Sequence, residues 1–188
     1  LPKTQPFNSA PYFYTGAETV VNFPDKTVNW VLVEFRNKFN FNQIVERHAA
    51  ILLADGTLVN PFNNTSGVPF NCHYGQAVYI TVNAWGHLGA MSSNPVLIED
   101  GVTLYNFGLA GNSWGNIGTI LLPDLYGLPV GDVNADGVIS VFDFNELTAK
   151  QGQSGYLPAD LNGDGQINNN DIGLYLKNAT IFWPKKLR

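Results

Sequence analysis

Two twelve-residue stretches in the last third of the chain share one pattern: DVNADGVISVFD at residues 132–143 and DLNGDGQINNND at residues 160–171. Each has oxygen-bearing side chains at positions 1, 3, 5, 9 and 12, glycine at position 6 and isoleucine at position 8. The stretches begin 28 residues apart, and apolar residues at helical spacing follow each of them. The sequence therefore predicts an internal duplication of a loop followed by a helix.

The side chains in these stretches supply the oxygen atoms that Ca²⁺ prefers. Calcium is a hard cation with roughly six to eight oxygen ligands, and this is the spacing of an EF-hand-type loop, with aspartate replacing glutamate at position 12. We assign side-chain ligands at positions 1, 3, 5 and 12, the backbone carbonyl at position 7, and a water-mediated contact at position 9. The predicted ligands of two calcium ions are Asp132, Asn134, Asp136, Val138, Ser140 and Asp143 for the first, and Asp160, Asn162, Asp164, Gln166, Asn168 and Asp171 for the second.

The glycine and isoleucine positions complete the predicted loop geometry. Gly137 and Gly165 permit a sharp turn that a Cβ atom would obstruct. Ile139 and Ile167 are expected to pair as a short strand contact between the loops. A solvated turn without metal is the simpler explanation for one such loop, but two full matches in tandem favour two calcium ions.

Composition limits the classes of partner. Of 188 residues, 45% are hydrophobic and 13% charged, with 19 glycines and 11 prolines, which favours strands and turns over long surface helices. The net charge of −5 argues against nucleic acid or an anionic membrane as the main partner. Cys72 is the single cysteine, so an internal disulfide is excluded, and we expect calcium to stabilise the fold instead.

The first two thirds of the chain are predicted to be β-rich. Residues 28–36 alternate with the period of a half-buried strand, and Asp55-Gly56 predicts a hairpin turn. Further strands are expected at residues 77–82 and 101–107. Short strands with regular turns are typical of an antiparallel, Ig-like β-sandwich. The predicted organisation is a mainly β sandwich at 1–120, a linker at 121–130, and a small α-helical calcium-binding module with the C-terminal tail at 131–188.

No catalytic motif stands out in the sequence. The three histidines His48, His73 and His87 do not have the spacing of a transition-metal site, and a Gly-x-Ser-x-Gly elbow is absent. Nothing singles out a pair of carboxylates of the kind a glycosidase needs. We therefore predict that the protein is not an enzyme.

The four tryptophans leave carbohydrate binding as a weaker alternative. Trp30, Trp85, Trp114 and Trp183, together with eight tyrosines, could form a surface on which sugar rings stack. Packing in the core is the simpler explanation for aromatic residues at strand spacing.

The tandem array of loop, helix, linker, loop and helix resembles the dockerin module. Dockerins are calcium-dependent modules that bind cohesin domains and attach proteins to extracellular assemblies, so the resemblance implies a cohesin-like partner. Dockerins typically carry a Ser/Thr-type pair just before the closing aspartate, where this chain has Val141-Phe142 and Asn169-Asn170. Stretches of the first hundred residues, such as Trp30–Arg36, are similar to a β-rich region that precedes dockerin-like repeats in large secreted bacterial proteins.

Both ends of the chain are apolar and punctuated by proline. Residues 1–14 and 179–184 would expose apolar side chains unless they pack on a surface, and packing on their own domain is the simpler outcome. The alternative is that an end adds as a strand to a neighbouring subunit, which would build a filament. We therefore expect an extracellular or cell-surface structural protein whose partner is a copy of itself, or else a cohesin-like domain.

Overall fold

The computed structural model describes residues 1–71, 75–116, 118–122 and 125–179. The predictions for Cys72, His73, Trp183 and the C-terminal tail from residue 180 onward lie outside these ranges. The strands are β1 Thr27–Asn37, β2 Ile44–Leu53, β3 Leu58–Val59, β4 Ala77–Asn83, β5 Gly86–His87, β6 Ala90–Met91, β7 Val96–Leu97, β8 Thr119–Leu122, β9 Leu125–Gly127 and β10 Val130–Asp132, and the helices are α1 Val141–Ala149 and α2 Asn169–Ala179.

The described chain is mainly β, and its paired strands are antiparallel, as predicted. One sheet has the order β3-β2-β1-β4-β6, with β7 also paired to β4, while β5 pairs with β10 and β8 with β9. The hairpin predicted at Asp55-Gly56 joins β2 to β3, and Gly56 has the positive φ of 86° that this turn requires. The Ig-like arrangement of two facing sheets stays a prediction.

The central strand β1 is buried on both faces, so the prediction of a half-buried strand is wrong. Trp30 packs into the cluster on one face and Val31 into the cluster on the other, both with 0% exposure. Even its polar residues are buried: Glu34 and Arg36 form an ion pair at 2.5 Å, and the hydroxyl of Thr81 donates to Glu34 at 3.0 Å. A buried carboxylate is tolerated here because its charge is paired and hydrogen-bonded.

The chain before β1 covers one face of the sheet. The indole N–H of Trp30 donates to the carbonyl oxygen of Pro2 at 2.8 Å, and Phe7 is fully buried in the same cluster as Trp30. Thr4 pairs with Thr19 in an isolated antiparallel bridge, so the chain folds back on itself before it enters β1. In a single molecule, the N-terminal end therefore packs on its own domain.

The strand predicted at residues 101–107 is absent from this described segment. The hydroxyl oxygen of Thr103 accepts a hydrogen bond of 3.0 Å from the N–H of Glu99, and the hydroxyl of Tyr105 accepts one of 3.3 Å from the N–H of Ser93. These side chains anchor an irregular extended segment, since residues 102–106 have no regular secondary structure.

The C-terminal third forms its own hydrophobic cluster around the two helices. Leu147, Ile167 and Tyr175 are buried there, and Leu88 from the chain after β5 packs among them. The short ladder between β5 and β10 also joins this region to the β-rich part. The domain boundaries at residues 120 and 130 stay predictions. No helix among the described residues combines the length and apolar character needed to cross a membrane.

Candidate metal centre

The two loops follow the same backbone course. Position 4 has a left-handed conformation in both, with φ of 54° at Ala135 and 72° at Gly163. Position 6 repeats it, with φ of 84° at both Gly137 and Gly165. Glycine adopts this conformation without the steric cost that a Cβ imposes, as the sequence predicts for position 6.

The carboxylate at position 1 reaches across the turn in each loop. Asp132 Oδ2 accepts a hydrogen bond of 3.0 Å from the N–H of Gly137. Asp160 Oδ2 accepts one of 2.9 Å from the N–H of Gly165. The first and sixth positions are therefore joined identically in the two halves of the duplication.

Positions 3 and 5 fold back on the N–H group two residues further on. Asn134 Oδ1 accepts from Asp136 N–H at 2.8 Å, and Asn162 Oδ1 accepts from Asp164 N–H at 2.9 Å. The carboxylates at position 5 then accept from the N–H at position 7, at 2.9 Å and 2.8 Å. Such Asx turns fix the backbone through local hydrogen bonds, so the course of this part of the loop can be predicted from the sequence.

The aspartate at position 12 closes each loop. Asp143 Oδ2 accepts from Ser140 N–H, and Asp171 Oδ2 accepts from Asn168 N–H, both at 2.8 Å. The Oδ1 atoms accept from the N–H at position 3, at 3.1 Å and 3.2 Å. Each closing carboxylate therefore holds the beginning and the end of its loop together.

Position 9 also begins the following helix. Ser140 is the N-cap of α1, and its hydroxyl oxygen accepts from Phe142 N–H at 3.3 Å in a capping box with Asp143. Asn168 Oδ1 accepts from Asn170 N–H at 2.8 Å at the start of α2. These bonds satisfy N–H groups that the helix leaves without partners, so Ser140 and Asn168 have a structural role beside the predicted calcium contact.

Each loop buries its closing carboxylate, and the first loop also buries Asp132, whereas Asp136 and Asp164 are exposed. Asp143 and Asp171 are completely buried, and their side chains form no ion pair with any described lysine, arginine or histidine. Burial, with a smaller effect of Asp136, raises the pKa of Asp143. Burial, together with Asp171 and Asp164, raises the pKa of Asp160. A bound cation would offset the free-energy cost of burying these charges.

The donor chemistry fits calcium, because every predicted ligand atom is a carboxylate, amide or carbonyl oxygen or a hydroxyl. Within the described residues, however, no three His, Cys, Asp or Glu side chains are gathered as a formed metal site would require. The carboxylates accept backbone N–H groups instead, and the predicted set also draws on amide and carbonyl oxygens. Two calcium ions therefore stay a prediction.

The prediction that Ile139 and Ile167 pair as a short strand contact is wrong. Ile167 N–H donates to Gln153 O at 3.0 Å, and Gly152 N–H donates to Ile167 O at 2.8 Å. The second loop therefore pairs with the segment that connects the two halves. Ile139 and Ile167 share only the hydrophobic cluster.

Helix α2 ties the two halves together. The phenol of Tyr175 packs on the ring of Phe144 in α1, with centroids 5.5 Å apart. Asn178 Nδ2 donates to Val130 O at 3.0 Å, just before the first loop. These contacts place the two loops and their helices in one packed unit.

Sequence patterns did not identify the β-rich residues that complete this unit. Gly86 in β5 is the strand partner of Asp132, the first residue of the first loop. A Cβ atom on Gly86 would lie 2.5 Å from Pro158 O and 2.9 Å from Leu161 Cδ2, at the start of the second loop. No motif marks Gly86, because its role depends on contacts with residues far along the chain.

His48 occupies structural surroundings. His48 Nε2 lies 2.5 Å from Glu46 Oε1, and its Nδ1 lies 4.0 Å from Glu18 Oε1. Glu18 Oε1 in turn accepts from Ala49 N–H at 3.2 Å and from the hydroxyl of Tyr14. The adjoining cleft has a volume of about 30 Å³, which is room for a few water molecules.

The tryptophans do not form a flat sugar-binding surface in the described part of the chain. Trp30 is fully buried, and Trp85 stacks on Phe7 with an interplanar angle of 8°. Trp114 contacts Phe41 and Tyr79 at interplanar angles of 44° and 84°, so these rings cross rather than lie in one plane. Packing accounts for these contacts.

Comparison with known proteins does not assign the chain to a family. No protein-family model matches it, and a search of curated proteins finds no match. Among solved structures, a chain from a crystal structure of a type II cohesin–X-dockerin complex of Acetivibrio cellulolyticus, an N-terminal interface mutant, is similar. The match has 16% sequence identity and a TM-score of 0.41 over 79% of this chain and 80% of the other. A likeness this remote carries no argument about function.

Proposed function

We propose that this chain is a non-enzymatic, calcium-stabilised structural protein of an extracellular or cell-surface assembly, and that it binds a protein partner. The observation that carries the proposal is the repeated loop, in which equivalent positions make equivalent hydrogen bonds and the closing aspartates Asp143 and Asp171 are completely buried. The twelve residues assigned above would hold two calcium ions. Bound calcium would neutralise the carboxylates and cross-link each loop to the start of its helix.

Exposed apolar side chains near the end of the first loop support a protein partner. Val141 and Phe142 begin α1 with 61% and 67% of their surface exposed. They stand where the dockerin resemblance implies a partner contact, and apolar pairs of this kind are stabilised when a partner covers them. A cohesin-like domain or a second copy of this chain would satisfy that chemistry.

Assembly by strand exchange is the form of self-association that we favour. Phe7 fills the core and Pro2 accepts the hydrogen bond of Trp30, so the N-terminal end supplies contacts that the sheet needs. If the N-terminal end of a neighbouring molecule supplied the same contacts, the interaction would join subunits head to tail without closing.

Calcium binding is tested by calorimetric titration of calcium-free protein, from which the chelator has been removed. We expect two ions per chain, and a rise in the thermal midpoint with calcium because the metal binds only the folded loops. Absence of both effects would overturn the calcium assignment. Titration of calcium-loaded protein with a cohesin domain tests the adaptor alternative, with F142A as the variant expected to weaken binding because it removes the exposed aromatic side chain.

Filament formation is tested by electron microscopy of the protein with calcium and with chelator. We expect filaments from the intact chain and single molecules after deletion of residues 1–10. Because Phe7 also belongs to the core, circular dichroism and a melting curve must first show that the deleted chain folds. Cohesin binding that survives in the folded variant while filaments disappear would separate the two kinds of partner. Uniform single particles of the intact chain at high concentration in calcium would exclude the filament.

A further inference from the structure

The N-terminal segment, residues 1–20, is in contact with the chain next to the first calcium loop. The indole of Trp85 stacks on Phe7 with centroids 6.3 Å apart and meets Tyr12 edge-on at 5.1 Å. Its N–H donates to Pro6 O at 3.4 Å. Trp85 therefore contacts the N-terminal segment in three separate places.

The next residue, Gly86, lies between the beginnings of both loops. It pairs with Asp132 across the β5–β10 ladder and has a φ of 71°. The space beside its Cα is closed by Pro158 and Leu161. Because Gly86 pairs with the first loop and packs closely against the start of the second, we expect a shift at the start of either loop to displace Gly86 and the adjoining Trp85.

A second link runs from the connection between the loops. The hydroxyl of Tyr156 donates to Asn29 Oδ1 at 2.7 Å, where the chain enters β1. The residue after Asn29 is Trp30, whose indole N–H donates to Pro2 O in the N-terminal segment. Burial, with smaller effects from Tyr12 and Asp160, raises the pKa of Tyr156. The two links meet the β-rich part at different residues, Gly86 in β5 and Asn29 in β1.

We propose that calcium binding to the two loops stabilises the docked N-terminal segment through Trp85–Gly86 and Tyr156, so that calcium controls whether this segment can undock. The inference rests on the proposed calcium function. Without calcium, repulsion between the loop carboxylates favours more open loops, which do not fit against Gly86. Thermodynamic linkage then requires that calcium raises the equilibrium constant for docking by the same factor by which docking raises the affinity for calcium.

The test is hydrogen exchange of the intact protein, with calcium and with chelator. The indole N–H of Trp30 reports docking directly, since it donates to Pro2 O at 2.8 Å. The amide N–H groups of Gln5, Tyr14 and Val20 report the fold of the segment itself, since they donate to Glu18, Phe7 and Lys3 within it at 3.0, 2.8 and 2.8 Å. We expect their exchange to speed up at least about fivefold on chelation. Amides in the centre of β1 and β2 serve as the internal control, and we expect their exchange to be unchanged.

The variants W85L and Y156F are expected to reduce the difference in exchange between calcium and chelator while the chain still binds two ions. If calorimetry shows two bound ions in wild-type protein and the N-terminal amides exchange at the same rate with and without them, the coupling is refuted and the calcium function stands. If no calcium binds, the calcium function is refuted and the coupling with it. Acceleration of the β1 and β2 amides to the same extent would also refute coupling through this route, because it would report global unfolding.

Discussion

The phenolic hydroxyl of Tyr175 donates a hydrogen bond of 2.7 Å to the carbonyl oxygen of Ser140. Tyr175 is in the second helix and Ser140 is the N-cap of the first, so this bond holds the end of the first loop against the second half of the duplication. The packing of Tyr175 on Phe144 adds an apolar contact at the same place.

Replacing Tyr175 with phenylalanine removes this hydrogen bond and keeps the ring contact. We expect Y175F to lower the free energy of unfolding by about 1 kcal/mol, because one buried hydrogen bond is lost. Urea denaturation measures this change. Y79F is the matched control, since the hydroxyl of Tyr79 makes no hydrogen bond with the described residues, and an equal loss in that variant would contradict the role given to Tyr175.

Truncation of Leu147 tests the cluster beneath the loops. This side chain of α1 has 0% exposure, so L147A leaves a cavity and we expect a loss of about 2–5 kcal/mol in the free energy of unfolding. Leu176 on α2 is 54% exposed, and L176A should change the free energy by no more than about 0.5 kcal/mol. Thermal or urea unfolding of both variants in calcium measures the difference. Similar losses of stability would contradict the burial of Leu147 in this cluster.

Neutralising a closing aspartate tests the metal assignment one loop at a time. We expect D143N and D171N each to bind one calcium ion with wild-type affinity and to lose or greatly weaken the other, because the variant side chain lacks the charge that calcium requires. Isothermal titration gives the stoichiometry. D25N removes the same charge at an exposed position and should still bind two ions. Two undiminished sites in D143N would exclude Asp143 as a ligand.

His87 predicts a dependence of stability on pH. Burial lowers the pKa of His87, and its Nδ1 lies 2.8 Å from the carbonyl oxygen of Trp85. The folded state therefore binds fewer protons than the unfolded state when the pH falls through the ordinary histidine pKa of about 6.5. Stability is complete above that pH and declines below it, until the pH reaches the lower pKa of the folded state.

The variant H87N isolates this effect, because it keeps a side-chain donor near Trp85 and cannot titrate. We expect the thermal midpoint of the wild-type protein to fall more than that of H87N between pH 8 and pH 6. Melting curves of both proteins at constant calcium and salt provide the comparison. Parallel curves across this range would mean that His87 binds a proton equally well in both states.

The loops were predictable because their hydrogen bonds are local. Asp136, Asp143 and their equivalents accept N–H groups at most ten residues away, so the spacing of aspartate, asparagine and glycine contains the information. The hairpin at Asp55-Gly56 was predictable for the same reason. The prediction of a strand at residues 101–107 was wrong because side chains of this segment form hydrogen bonds with backbone N–H groups, and the segment does not pair with a neighbouring strand.

The sequence by itself determined the duplication, the turn glycines and the helix starts, since each depends on atoms within about one loop length. The tertiary structure decided which distant residues complete these elements. It buried both faces of β1 under segments that are remote in sequence, and it paired Ile167 with the connecting segment. It also placed Gly86 and Leu88 against the loops. Packing selects such partners by shape and available space, which residue spacing along the chain does not encode.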